Sequence, residues 1–374
     1  MSHPADGFGH PGYPPPGYPP PGYPPPGYPP PGYYPPPGYG WQPGGSPYGA
    51  LKPGVIPLRP LSLSDIFNGA VNYIRRNPKA TLGLTAVVVV AAQVLAVILQ
   101  ILIPLATTGA IVPTLGEDTM TGGDFVAFTG SAIAAAVPTA LAAIVLSGLL
   151  TVVVGRAVFG SDISIGEAWQ RLRSRLLTLI GFTLLEAVAI VALVAVVTAV
   201  IAVAATAGGA GIAFLIGAPL VLVSLVLIVY VATMILFTPA LIVLERLDVV
   251  SAVKRSFALV RNDFWRVFGI WLLAAIVAGM VAGAVAVPFS FGGQLLTTTA
   301  DSAGTAILGI VVVAVGGAVG QIITAPFSAG VVVLLYTDRR IRSEAFDLVL
   351  QTGAASAPGT PAASTDHLWL IRRP

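Results

Sequence analysis

The chain has 374 residues, of which 55% are hydrophobic and only 9% charged. Soluble globular domains carry roughly 25% charged residues, so a chain this poor in charge needs an apolar solvent around most of its length. The net charge of +3 is too small to suggest nucleic acid as a partner, and the absence of cysteine excludes disulfides and thiolate chemistry.

Residues 1–58 are Pro-, Gly- and Tyr-rich, built on Pro-Pro-Pro-Gly-Tyr pentapeptides between Gly12 and Tyr39. Proline removes backbone donors and glycine adds chain entropy, so a disordered tail with polyproline II character is expected. Fully extended at ~3.1 Å per residue, it reaches on the order of 100 Å. It holds no basic segment followed by an apolar one, so the first apolar span is expected to serve as the insertion signal. The repeated Pro-Pro-Gly-Tyr has the form of a WW-domain ligand, a reader that bacteria are not expected to supply. The tail reads either as a multivalent sticker for a cytoplasmic protein partner or as a passive spacer.

Long uncharged stretches follow, at 80–116, 125–155, 267–300 and 302–337, and 176–244 is uncharged apart from Glu186. A bilayer crossing takes about 20 apolar residues. Four stretches hold one crossing each, and 176–244 holds two, with a turn at Gly208, Gly209 and Gly211. The predicted fold class is all-α integral membrane with six transmembrane helices, near 81–105, 131–155, 177–204, 212–243, 268–290 and 305–336. The six-helix domain runs over 59–351, and 352–374 is expected to be a flexible cytoplasmic tail.

Charge placement sets the orientation. Four clusters, at 52–79, 156–175, 246–266 and 339–373, hold all 19 Lys and Arg residues. The segments between crossings 1 and 2, 3 and 4, and 5 and 6 hold none, and carry Glu117, Asp118, Asp124 and Asp301 instead. Basic residues stay on the cytoplasmic side, so both termini are expected there. Ala, Val and Gly usage, with Arg far above Lys, fits a high-GC bacterium, hence a bacterial cell membrane.

Three of the basic segments resemble one another: LSLSDIFNGAVNYIRRNPKATLG from Leu61, ISIGEAWQRLRSRLLTLIG from Ile163 and LDVVSAVKRSFALVRNDFWRVFG from Leu247. Each opens on a helix N-cap residue, Ser62, Ser164 or Asp248, and the first two continue as capping boxes with Asp65 and Glu167. Apolar residues recur at matching offsets: Leu63, Ile66 and Phe67; Ile165, Ala168 and Trp169; Val249, Ala252 and Val253. The predicted architecture is therefore three repeats of an amphipathic elbow helix plus a helical hairpin. Each elbow is expected to lie on the inner surface with its apolar face in the lipid interface. Arg75, Arg76, Arg173, Arg175, Arg255 and Arg261 are candidate contacts to anionic inner-leaflet head groups.

The first elbow, RPLSLSDIFNGAVNYIRRNPKATLG, resembles the start of the bacterial glycerophosphoryl diester phosphodiesterase membrane-domain family. The segment LLYTDRRIRSEAFDLVLQ is similar to that family's close, where an aromatic and an acidic residue, here Tyr336 and Asp338, lead into a basic amphipathic helix. The resemblance covers roughly residues 58–351. It implies a six-span fold of unassigned molecular function, attached in some relatives to a separate phosphodiesterase domain, and a Pro- and Tyr-rich tail is similar to actinobacterial proteins of this kind.

No catalytic constellation is legible. The three histidines, His3, His10 and His367, all fall in terminal segments, and no metal or cofactor is expected. Glu186 is the one ionisable group inside a predicted crossing. It reads either as a proton-coupling or substrate-binding group, or as a neutral carboxyl sharing hydrogen bonds with Gln93, Gln100 or Gln321. Pro138, Pro219, Pro288 and Pro326 interrupt crossings, which fits a transport site as well as ordinary membrane helices. The expected function is a non-enzymatic scaffold or accessory subunit. The alternative is a transporter or lipid-handling protein using Glu186.

Overall fold

The structure is a computed structural model that describes residues 54–57, 59–109, 122–161, 163–354 and 368–370. The proline-rich repeats, all three histidines, Glu117, Asp118 and most of the expected C-terminal tail lie outside the described residues. Among the described residues there is no strand. The helices are α1 (Leu63–Arg76), α2 (Leu84–Thr108), α3 (Gly122–Val158), α4 (Ile165–Arg173), α5 (Leu176–Met234), α6 (Thr238–Leu244), α7 (Val249–Val260), α8 (Phe264–Thr298), α9 (Ala303–Glu344) and α10 (Phe346–Ala354).

Five helical stretches are long and apolar enough to cross a membrane. Their outward faces carry large apolar side chains, such as Phe214 at 72%, Met280 at 71% and Phe291 at 74% exposure. Continuous apolar surface of this extent is incompatible with water. The chain is a membrane protein.

The longest stretch is not straight. Gly209 has φ 74° and ψ −177°, a backbone region open essentially to glycine alone, and it divides α5 into two limbs. A straight helix would hold Arg175 and Arg246 on the order of 100 Å apart. Instead both line one cavity, and Ile201 meets Gly217 across the limbs. The predicted turn at 208–211 therefore rests on Gly209. The second limb also ends earlier than expected: residues 235–237 leave the helix before α6 starts. Ser256 of α7 repairs this break, its hydroxyl donating to the Met234 carbonyl at 2.7 Å and accepting from the Phe237 amide at 3.3 Å.

α9 is the axis of the fold, packing against α1, α2, α3, α7, α8 and α10. Its seam with α8 needs a residue without a side chain at Gly309, where a Cβ would come within 2.6 Å of the Gly293 carbonyl oxygen. Such close backbone approach is how membrane helices gain packing contacts. α3 is the other inner helix, with 61% of its apolar window buried against 11% for α2.

All three predicted elbows form, as α1, α4 and α7. The Ser62 and Ser164 capping boxes are both present, and Asp248 accepts from the Ser251 amide at 3.1 Å. Positions four and eight past each cap are fully buried in all three: Ile66 and Ala70, Ala168 and Leu172, Ala252 and Ser256, each at 0% exposure. This corrects the expected placement of the apolar face in lipid. Protein covers the inner stripe, and the flanking Leu63, Ile165 and Trp169 stay exposed. An α-helix presents residues four apart on one face, and here that face closes the end of the bundle. Each elbow then joins its long helix through a short irregular joint: a π turn at Lys79–Gly83, residues 174–175, and a 3₁₀ turn at Arg261–Asp263.

Two expected boundaries are corrected by packing. Val55 and Ile56 fell in the predicted disordered tail, yet both are core residues, and the Val55 amide donates to the Ala157 carbonyl at 3.2 Å. Trp369 fell in the predicted flexible C-terminal tail, yet it is 3% exposed and packs on Phe159, Tyr336 and Phe346. In both cases a short apolar run finds a hydrophobic site that the surrounding polar or proline-rich composition hides.

Candidate functional site

Described residues of the four basic clusters, far apart in sequence, meet at the elbow end of the bundle. Arg76 donates to the Gly160 carbonyl at 2.7 Å, Arg266 pairs with Asp338, and Arg255 pairs with Glu344. Most of the charge there is organised by the last two turns of α9.

One node is Asp338, whose side chain is fully buried. The Leu61 amide donates to its Oδ1 at 2.8 Å, Arg342 Nε lies 2.9 Å from Oδ1, and Arg266 Nη2 lies 3.2 Å from Oδ2. Both arginines also donate to the Leu61 carbonyl, at 2.7 Å for Arg266 and 3.1 Å for Arg342. The peptide that leads into α1 is thus gripped on both sides, and α8 is tied to the same point.

The second node is Glu245, at the end of α6, also fully buried. The Tyr336 hydroxyl donates to its Oε1 at 2.6 Å, and Arg255 Nε of α7 lies 2.6 Å from Oε2. Glu344 bridges back, 2.8 Å from Arg255 and 3.0 Å from Arg340, and Arg340 lies 3.6 Å from Glu245. The result is a closed ring of two carboxylates and two guanidiniums. Arg340 also donates to the Trp369 carbonyl at 3.1 Å and sits 4.1 Å over the Phe346 ring. Ala345 adopts a left-handed conformation, φ 51°, to turn the chain so that Phe346 reaches this position. A third tie runs from Arg339 to Asp263 and to the Leu259 carbonyl, the latter at 3.0 Å.

The elbow caps are separate and exposed. Hydrogen bonds from the Ser164 backbone and side chain hold the Glu167 carboxyl below the usual carboxylate range, and those from Ser251 do the same for Asp248. Burial pushes the Tyr73 hydroxyl of α1 well above its ordinary range, and that hydroxyl donates to the Pro326 carbonyl of α9.

The residues singled out by sequence are spread apart. Glu186 is half-buried in a cavity of about 400 Å³ between the limbs of α5, with Phe182, Ile228 and Val231 around it and Val253 of α7 at one end. Gln93 lines a separate groove against α9, Gln321 lines a third between α3, α6 and α9, and Gln100 is exposed. Of the two readings of Glu186, the one in which it shares hydrogen bonds with these glutamines finds no contact here, since Glu186, Gln93 and Gln321 line three different cavities. Of the predicted head-group arginines, Arg75, Arg76, Arg173 and Arg261 are exposed, whereas Arg175 is half-buried and lines a cavity beside α3. Arg255 is corrected from that set, since its guanidinium is committed to Glu245 and Glu344.

Glu245 and Trp369 escaped the sequence reading. The signals were small: an acid at the foot of a long apolar run, and the apolar string LWLI within a polar terminus. Among the described residues no three His, Asp or Glu side chains converge as metal ligands. In the two nodes each carboxylate is paired with guanidiniums, so the arrangement clamps helices.

Fold and site together define an all-helical membrane protein in which buried carboxylates tie the entry to α1, together with α6, α7 and α8, to one end of a central helix. The chain belongs to the family described as a domain of unknown function, DUF7847, which matches residues 61–339. The match begins at Leu61 and ends one residue past Asp338, the two residues that bond each other across the fold. No curated protein and no solved structure matches the chain.

Removing one partner of a buried ion pair leaves the other uncompensated, at about 3–5 kcal/mol. Asp338→Ala is therefore expected to lower the thermal midpoint of the detergent-purified protein strongly, and to leave the Leu61 peptide open to protease. Asp65→Ala, which removes a cap carboxylate, should cost only about 1 kcal/mol. Equal midpoints for the two variants contradict this ranking.

Proposed function

We propose that this protein is a non-catalytic scaffold or accessory subunit of the bacterial cell membrane. In this reading it crosses the bilayer six times, as three repeats of elbow helix plus hairpin, with both termini in the cytoplasm. The fold-back of α5 at Gly209 supports six crossings. The same two buried positions in α1, α4 and α7 support the three-fold repetition. The convergence of the described basic residues at one end supports the orientation. The resemblance to the glycerophosphoryl diester phosphodiesterase membrane domain enters here as kinship of architecture, not of activity.

The observation that carries the proposal is the clamp. α9 fixes the entry to α1, the end of α7, α6 and α8 through fully or nearly buried charges. A face whose geometry is held this way presents its exposed arginines and elbow ridges in constant register, which suits a docking platform. A cytoplasmic proline-rich tail would recruit a protein partner through its repeats. Anionic inner-leaflet lipids would neutralise Arg75, Arg76, Arg173 and Arg261. Affinity purification from native membranes tests this. Full-length protein should retain co-purifying proteins that are lost on deletion of residues 1–50, with the thermal midpoint unchanged. Identical partner sets contradict the scaffold reading.

A second reading, as a transporter or lipid-handling protein, is favoured by the apolar cavity around Glu186. The uniform apolarity of its walls suits a lipid or other apolar substrate better than a polar solute. Under this reading, Glu186→Gln abolishes pH-dependent flux in reconstituted vesicles while the protein still inserts. Unchanged flux removes Glu186 from any such role.

A further inference from the structure

The cavity between the limbs of α5 holds a carboxyl group with no counterpart in the chain. Its volume is about 400 Å³, and its walls run from Leu185 and Leu193 on the first limb to Leu227 and Val231 on the second. Glu186 is the one lining residue with a polar side chain. No described residue forms a hydrogen bond or an ion pair with it. The sequence leaves no cation nearby, because between Arg175 and Glu245 no other residue is charged. Arg175 itself stands on the order of 16 Å of helix away. Val253 of α7 is the lining residue from outside α5, and its neighbour Lys254 is exposed and does not line the cavity. The contrast with the clamp is direct. Asp338 and Glu245 each meet two guanidiniums, and Glu186 meets none.

A carboxylate in apolar surroundings is costly unless a cation joins it. The walls decide which cation. A metal ion such as Ca²⁺ takes about six to eight oxygen ligands, and one carboxyl among aliphatic side chains does not supply them. A compact ammonium is strongly hydrated, and nothing else in the lining replaces its water. A cation whose charge is wrapped in hydrocarbon has little hydration to lose and gains the apolar contact of the walls. Phe182 lies one helical turn before Glu186 and lines the same cavity, so an aromatic ring stands beside the carboxyl. Such rings attract quaternary cations. The volume falls within the roughly 300–1,000 Å³ range of small-molecule sites.

We infer that the cavity between the α5 limbs binds a lipophilic monovalent cation, an apolar body around one shielded positive charge, with the Glu186 carboxylate as its counter-ion. The aliphatic walls take the body, and Phe182 borders the charge. The inference rests on the lipid-handling reading in taking this cavity for a ligand site, and it adds the charge and the class of the ligand.

The test measures binding rather than flux. The full chain in dodecyl maltoside is dialysed to equilibrium against tetraphenylphosphonium at mildly alkaline pH. A parallel series uses triphenylphosphine oxide, which has a similar apolar body and no net charge. The phosphonium should bind saturably and at least tenfold more tightly than the oxide. Glu186→Gln should lower its affinity at least tenfold without lowering the thermal midpoint, since no partner in the chain is lost, and Glu186→Asp should keep part of the affinity. Ala232→Phe fills the cavity from the second limb, leaves the carboxyl in place, and should weaken phosphonium binding. Equal phosphonium binding by the wild type and Glu186→Gln overturns the inference. Equal affinity for the two ligands also overturns it, but if Ala232→Phe weakens both, the cavity remains a site for apolar ligands and the lipid-handling reading stands. Saturable binding of neither ligand overturns the inference, and flux then decides that reading separately. If Glu186 instead meets a second copy of the chain, the wild type is a dimer that Glu186→Gln separates, the phosphonium stays unbound, and the inference falls.

Discussion

A carboxylate sealed from solvent must meet cations and donors, because an unpaired buried charge costs several kcal/mol. Asp338 and Glu245 impose that demand on this fold. Each is fully buried, and each draws partners from more than one helix, some of them distant in sequence. Leu61 and Asp338 are separated by 277 positions, yet the bond between them decides where the first elbow begins. Long apolar helices in lipid slide and rotate against one another at little cost, since lipid tails are as apolar as Leu. Directional, charge-assisted bonds at one end supply the register that apolar packing alone leaves loose.

That division of labour explains where order concentrates. The large core cluster sits with the elbows, from Val55 and Ile56 through Tyr73, Leu172 and Val260 to Trp369. Away from it, the α8–α9 seam relies on small residues in close contact, and the limbs of α5 present most of their side chains outward.

Much of the architecture was legible from the sequence because it is written in local rules. Caps at Ser62, Ser164 and Asp248 declare helix starts, and uncharged runs declare apolar helices. Gly209 announces a turn because a left-handed backbone needs glycine. The clamp was not legible, because pairing across 277 positions leaves no local trace. Tyr336 and Asp338 stood out only through resemblance to a family's closing segment, and Glu245 did not stand out at all. Composition misled at Val55, Ile56 and Trp369, since a few apolar residues in a polar or proline-rich run average away. Arginines were read as one kind of residue facing head groups, whereas the structure sorts them into clamp, cavity and exposed surface.

The most direct measurement of the central claim is a double-mutant cycle on Glu245 and Arg255. Glu245→Gln, Arg255→Gln and the double variant would be compared by equilibrium unfolding in one detergent. If the buried pair holds α6 to α7 and α9, each single change is costly and the double change costs less than their sum, with a coupling of about 1–3 kcal/mol. Losses that simply add would show that the two charges do not sense each other, and would contradict the account of the clamp.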